Sequence, residues 1–172
     1  MLPLRVAVIG AGRLGPSFAL ECARAGFSTV LEDVMPHKLR RAGEQIEQAG
    51  LDVELASTVE AAVREADIAI DFVPDELESK LEIFSLIDRM APPKTIICTP
   101  TGALSITDLA SCTYRSERCA ALRGLSEKEV TLVRGETSSN ETVALVTRLL
   151  ESLGRSVRVE ADTMAPMLTK NL

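Results

Sequence analysis

Residues 4–15, Leu-Arg-Val-Ala-Val-Ile-Gly-Ala-Gly-Arg-Leu-Gly, decide how this chain is read. Val6, Ala7, Val8 and Ile9 form an apolar run too short for a helix, rich in β-branched residues and closed by glycine. Such a run predicts a strand buried on both faces. The three glycines then have separate tasks. Gly10 allows the tight turn out of the strand, Gly12 lets the backbone approach a pyrophosphate, and Gly15 lets the next helix pack closely on the strand. Unpaired N–H groups and the positive end of the helix dipole favour a phosphate at that helix start.

A G-x-G-x-x-G spacing alone also occurs in ordinary turns, so its surroundings carry the argument. An amphipathic stretch over 13–25 follows and Gly26 closes it, and a second strand over 28–31 ends in Glu32-Asp33. Asp33 stands where a carboxylate meets the ribose hydroxyls of a dinucleotide. A carboxylate there accepts both hydroxyls of NAD and repels the 2′-phosphate of NADP, so the expected cofactor is NAD.

The 172 residues, 46% of them hydrophobic, suffice for one domain with a proper core. The net charge of −6 argues against nucleic acid or an anionic membrane as the main partner. No apolar run approaches the roughly 20 residues of a membrane span, and the N-terminus enters a strand without a signal-peptide pattern, so a soluble, cytoplasmic protein is expected. Cys22, Cys98, Cys112 and Cys119 lack C-x-x-C spacing. They read as small hydrophobes in a reducing compartment, with metal binding or redox chemistry as the alternative. His37, the single histidine, follows Pro36 at a helix start and reads as a solvated residue rather than a base.

Strands and helices alternate along the rest of the chain. Pro36 opens a helix with the stripe Leu39, Ala42 and Ile46, which Gly50 ends. Residues 51–56 predict a third strand, and Ser57 with Glu60 predicts a capping box for a helix to Ala66. A fourth strand is expected over 68–73. Asp71 within it either accepts backbone N–H groups or shapes the cofactor cleft. Leu77, Leu81, Phe84, Ile87 and Met90 recur at helical spacing, and Pro92-Pro93 stops that helix. A fifth strand over 95–98 leads into the small-residue loop 99–103, on the ligand side of such a sheet. Ser105 opens a short helix, strands follow over 119–122 and 130–133, Ser138 with Glu141 caps a helix over 142–153, and 156–160 supplies an edge strand. The whole predicts a Rossmann-type α/β fold, doubly wound with a mostly parallel sheet, over residues 1–160, with 161–172 as a C-terminal tail.

These residues resemble the NAD-binding domain of the 3-hydroxyacyl-CoA dehydrogenases of fatty-acid β-oxidation through nearly the whole length. The first strand and glycine turn, Leu31-Glu32-Asp33-Val34, and Ala66-Asp67-Ile68-Ala69-Ile70-Asp71-Phe72-Val73-Pro74-Asp75 are each similar to segments of that family. So are Ala91-Pro92-Pro93, Leu104-Ser105-Ile106-Thr107-Asp108-Leu109 and Val133-Arg134-Gly135-Glu136. The resemblance implies cofactor contacts at Gly10, Gly12, Arg13, Leu14, Gly15, Asp33, Val73, Asp75, Lys80 and Thr101. Asp75 is a shortened version of the family's glutamate.

The catalytic half departs from the pattern. The family's Asn-Thr-Ser-Ser-Leu is here Pro100-Thr101-Gly102-Ala103-Leu104, without the serine that meets the substrate. The catalytic histidine aligns with Arg123 and the glutamate that orients it with Thr131. The loop between them is about four residues short by the resemblance. Arginine cannot take a proton from an alcohol, so no catalytic residue is assigned. The family continues into a helical domain that closes the cleft, and Thr169 stands at the place of that domain's first asparagine. Three readings remain open: an NAD-binding protein silent in the family's reaction, an oxidoreductase on another acyl-CoA or hydroxy-acid substrate completed by a partner, and a purely structural subunit. A homodimer or partner subunit is expected to cover the cleft, with the apolar tail in the interface.

Overall fold

The computed structural model describes residues 3–164. Strand and helix alternate from the start: β1 (Arg5–Ile9), α1 (Gly15–Arg24), β2 (Ser28–Glu32), α2 (Pro36–Ala49), β3 (Glu54–Ala56), α3 (Val59–Val63) and β4 (Ile68–Asp71). After these come α4 (Leu77–Met90), β5 (Ile96–Pro100), α5 (Ile106–Ser111), β6 (Cys119–Arg123), β7 (Glu129–Arg134), α6 (Asn140–Ser152) and β8 (Ser156–Ala161). The strands form one sheet in the order β3-β2-β1-β4-β5-β6-β7-β8, parallel throughout except where β6 meets β7. This is the doubly wound Rossmann-type arrangement that the sequence predicts.

Alternation along β1 explains why helices cover both faces. Val6 and Val8 point into one core, with Phe18, Ala19 and Cys22 of α1, Ala42 and Ile46 of α2, and Val146, Leu149 and Leu150 of α6. Ala7 and Ile9 point into the other, with Ala62 and Val63 of α3, Ile83, Phe84 and Ile87 of α4, and Ile106 and Leu109 of α5. Ile9 is flanked by Glu32 on one side and Asp71 on the other. The chain runs outward in opposite directions from these two neighbours of β1, so a crevice opens at their carboxyl ends.

The local signals are correct in kind and displaced in detail. Thr58, not Ser57, caps α3 by accepting from Ala61 N, and the helix ends at Val63. Ser139, not Ser138, caps α6, because the Ser138 hydroxyl is already used in the core. It accepts from Gly135 N at 2.8 Å and donates to the Cys119 carbonyl at 2.6 Å. Strand β4 stops at Asp71, and β3 covers only the last half of its expected span. Cys22, Cys98 and Cys119 are buried and Cys112 is exposed. Burial pushes the Cys22 and Cys119 thiols up to about 12 and Cys98 upward as well, which leaves them inert fillers of the core. No helix among the described residues is long and apolar enough to cross a membrane.

The tail begins later than residue 161. Ala161 pairs with Arg134 as the last residue of β8, and Asp162 accepts from Ser105 Oγ at 2.7 Å and Thr107 N at 2.9 Å at the start of α5. Most of the apolar segment expected in an interface, and Thr169, lie outside the described residues.

The two serines before α6 have separable roles. Ser139→Ala should lower stability by about 1 kcal/mol through loss of the cap. Ser138→Ala should cost more, about 1–3 kcal/mol, because it leaves a buried N–H and carbonyl without partners. Urea denaturation of both variants checks the order, and the reverse order would return the capping role to Ser138.

Candidate functional site

Two of the three glycines are required by the turn itself. Gly10 adopts φ +107°, and its N–H donates to the Glu32 carbonyl at 2.8 Å. A Cβ on Gly15 would collide with the Gly10 carbonyl oxygen. The close approach that Gly15 permits is thus between the first residue of α1 and the backbone just past the end of β1. Gly12 differs, since a Cβ there meets nothing within 4 Å. The fold itself has no need of glycine at that position, and the space over it is open to a bound group.

Helix α1 begins at that turn without a side-chain cap. Its first N–H groups remain available to an anion. Asp33 locks the turn to the end of β2, with Oδ2 accepting from Ala11 N at 2.9 Å and Oδ1 from Met35 N at 2.8 Å. A carboxylate offers about four acceptor positions, so two remain for ribose hydroxyls. Open space over Gly12, uncapped donors and spare carboxylate acceptors together fit a dinucleotide.

The floor of the crevice carries buried charge. Lys80 Nζ lies 2.8 Å from Asp71 Oδ1, with both side chains essentially fully buried. The pair joins the end of β4 to the first turn of α4. Burial pushes the Asp71 carboxyl up, against the opposing pull of the Lys80 ammonium and the Thr99 hydroxyl. Asp71 thus accepts a backbone N–H, from Val73, and also neutralises a lysine. Glu32, one residue before Asp33, is buried too. Burial, with the adjacent Asp33 charge adding to it, raises the Glu32 carboxyl from 4.5 to about 7.

Walls of the cleft come from loops after β4, β5 and β6. Asp75 accepts from Thr101 Oγ1 at 2.6 Å and Gly102 N at 3.0 Å, tying the first two loops together. Arg155 pairs with Glu21 at 3.0 Å and donates to the Leu125 carbonyl, closing the far side. Arg123, at the carboxyl end of β6, stands directly across from Thr131 of β7. Its Nε and Nη2 are shielded from water and have no hydrogen-bond partner. An unmet buried donor of this kind costs about 1–3 kcal/mol, more when charged.

These groups line one cleft of about 940 Å³. It brings together Gly12, Arg13, Leu14, Val73, Asp75, Lys80 and Thr101 with Arg123, while Gly10, Gly15 and Asp33 are not among its lining residues and shape the adjoining turn. Lys80 reaches the cleft with its ammonium already paired, and the Thr101 hydroxyl and both Asp75 oxygens are held in the wall. Sequence reasoning missed Glu32, because a glutamate at a strand end looks solvated. It also missed Glu21 and Arg155, which are far apart in sequence and meet only through the fold.

Comparison with known proteins agrees with this geometry. The family model described as 3-hydroxyacyl-CoA dehydrogenase, NAD binding domain, matches residues 5–54 and 49–163. The chain belongs to this family. A probable 3-hydroxybutyryl-CoA dehydrogenase of Bacillus subtilis is 29% identical over 88% of this chain and 60% of its own length. A 5-formyl-3-hydroxy-2-methylpyridine 4-carboxylate 5-dehydrogenase of Mesorhizobium japonicum is 27% identical over 87% of this chain and 54% of its own. The solved 3-hydroxyacyl-CoA dehydrogenase of Archaeoglobus fulgidus superimposes with a TM-score of 0.83 at 28% identity, covering 93% of this chain and 57% of that one. The chain thus spans somewhat over half the length of these relatives. The matched family domain is an NAD-binding one, which makes NAD the cofactor of this fold.

The glycine analysis separates folding from binding. Gly12→Ala should melt within about 0.5 kcal/mol of the wild type yet lose NAD affinity, whereas Gly15→Ala should lose on the order of 3 kcal/mol or more. Thermal melts with and without NAD read both effects. Strong destabilisation by Gly12→Ala would show that the fold itself needs that glycine.

Glu32 predicts a pH dependence of definite sign. Its folded pKa near 7 exceeds the ordinary 4.5, so between these values the native state holds a proton that the unfolded chain has lost. The stabilisation this gives is complete below about pH 4.5 and disappears as pH rises through 7. Denaturation across pH 4–8 should show this slope, and Glu32→Gln should flatten it. An unchanged slope would assign it to another group.

Proposed function

We propose that this chain binds NAD and does not itself oxidise 3-hydroxyacyl-CoA. The observation that carries this reading is the pair Arg123 and Thr131, facing each other across β6 and β7 at the positions where the family resemblance calls for a histidine and its orienting glutamate. Bound NAD would accept a hydride, and the alcohol losing that hydride must also lose its hydroxyl proton to a base. A guanidinium has no acceptor for that proton. The carboxylates lining the cleft are committed elsewhere, Glu21 to Arg155 and Asp75 to Thr101 and Gly102, and Lys80 is held by Asp71. A positioned acid–base group contributes about 10²–10⁴-fold, and the missing serine removes substrate positioning besides.

The cofactor contacts in this reading are the N–H groups of the Gly12–Gly15 turn, Asp33 for the ribose, and Arg13, Val73 and Thr101 along the cleft. NAD at about 100 times its dissociation constant should add roughly 2.7 kcal/mol of stability, and NADP much less. With 3-hydroxybutyryl-CoA and NAD, absorbance at 340 nm should stay flat. Equal stabilisation by NADP would overturn the role of Asp33. Steady NADH formation that Gly12→Asp abolishes would overturn the silent reading and place a base on another residue.

A further inference from the structure

We infer that the cleft beside the cofactor holds a small carboxylate, gripped by the guanidinium of Arg123. The inference rests on the reading that this strand end does not transfer protons, and it assigns the position a different task. The cationic side chains lining the cleft are Arg13, Lys80, Arg123 and Arg155. Lys80 is neutralised by Asp71, Arg155 by Glu21, and Arg13 stands exposed on the glycine turn. Arg123 alone among these four has buried donors without an acceptor.

The chain shows what an arginine kept for structure looks like. Arg115 is buried, pairs through Nε with Asp88 at 2.7 Å, and delivers its other donors to the carbonyls of Asp88, Ala91, Pro92 and Thr95. Arg123 makes none of these contacts, although it ends a central strand with β5 and β7 on either side.

The identity of the unmet donors points to the ligand. Nε–H and Nη2–H form the side-on fork of a guanidinium, whose spacing matches the two oxygens of one carboxylate. Both lie in the wall of the cleft without a protein acceptor. Arg123 lines the cleft, so a turn of its long side chain would present the fork to a ligand there. There Phe18, Phe72, Leu122 and Leu125 offer apolar surface for a short carbon body. A planar acid with a few carbons satisfies both features, whereas a bare oxyanion leaves the apolar wall unused.

Calorimetric titration of the wild-type protein with acetate, acetoacetate and 3-hydroxybutyrate, each with and without NAD, tests this. Neutral acetoacetamide and inorganic phosphate serve as controls. At least one of the organic acids should bind, with the amide and phosphate about tenfold weaker or more. Arg123→Met should reduce acid binding at least about tenfold, and Arg123→Lys, which keeps charge but loses the fork, should fall between. Arg123→Met should melt at or above the wild-type temperature, because it removes unmet donors. Arg115→Met should melt well below it.

No binding by any acid, equal binding of the amide or phosphate, or unaltered binding in Arg123→Met would each overturn the inference. So would a melting loss in Arg123→Met as large as in Arg115→Met, which would make Arg123 a structural residue. NAD titration of the wild type separates the two readings: NAD binding without acid binding defeats only this inference, and acid binding without NAD binding defeats only the proposed function.

Discussion

A side chain on Gly15 would collide with the carbonyl oxygen of Gly10, so α1 can begin this close to the end of β1 only with glycine as its first residue. The turn also ties three strands together. Gly10 N–H donates to the Glu32 carbonyl at the end of β2, and Phe72 N–H donates to the Ile9 carbonyl just beyond β4. Asp33 adds a side-chain bond to Ala11 N. The centre of the sheet and the first helix are therefore locked in one small region. The uncapped donors of α1 and the acceptors of Asp33 come to the same edge of the sheet as a result, which is the geometry a dinucleotide needs.

Charge is placed around that turn in ways an apolar core would not require. Removing Asp71 and Lys80 from water costs several kcal/mol per ion, which their attraction offsets only with good geometry, so the pair is weak evidence for stability. It does restrict how the first turn of α4 meets β4, because any shift would leave a buried charge unpaired. Glu32 resolves the same conflict differently. Burial and the Asp33 charge both oppose its ionisation, and retaining its proton near neutral pH avoids the cost of ionising in a buried position.

The fold was legible because its signals are local. Val6 to Ile9 show strand burial, the glycines show the turn, and helices α2 and α4 show their apolar stripes in period. The cap positions slipped where two hydroxyl residues adjoin, since the motif requires only a suitable side chain and tertiary contacts choose which is free. The candidate site was legible where backbone form dictates sequence, at Gly10, Gly15 and Asp33. Lys80 and Asp71 each drew notice, but their partnership is a contact across a strand–helix turn that no periodicity encodes. Arg115 was invisible for a related reason. Four of the residues that receive its donors do so through main-chain carbonyls, which carry no residue signature.

An imidazole and a guanidinium at the end of β6 differ in kind. A neutral imidazole both accepts and donates, and its pKa lies near physiological pH, so it can pass a proton. A guanidinium only donates, stays charged, and presents its donors in a fixed plane. A glutamate opposite an imidazole orients the ring and stabilises its charged form. Opposite Arg123 it would form an ion pair and satisfy the fork from within the protein. Thr131 at that place offers no carboxylate, and the guanidinium keeps its donors. In the proposed reading the two positions are mutually consistent: an arginine cannot serve as a base, and a threonine opposite it supplies no carboxylate to compete for its donors.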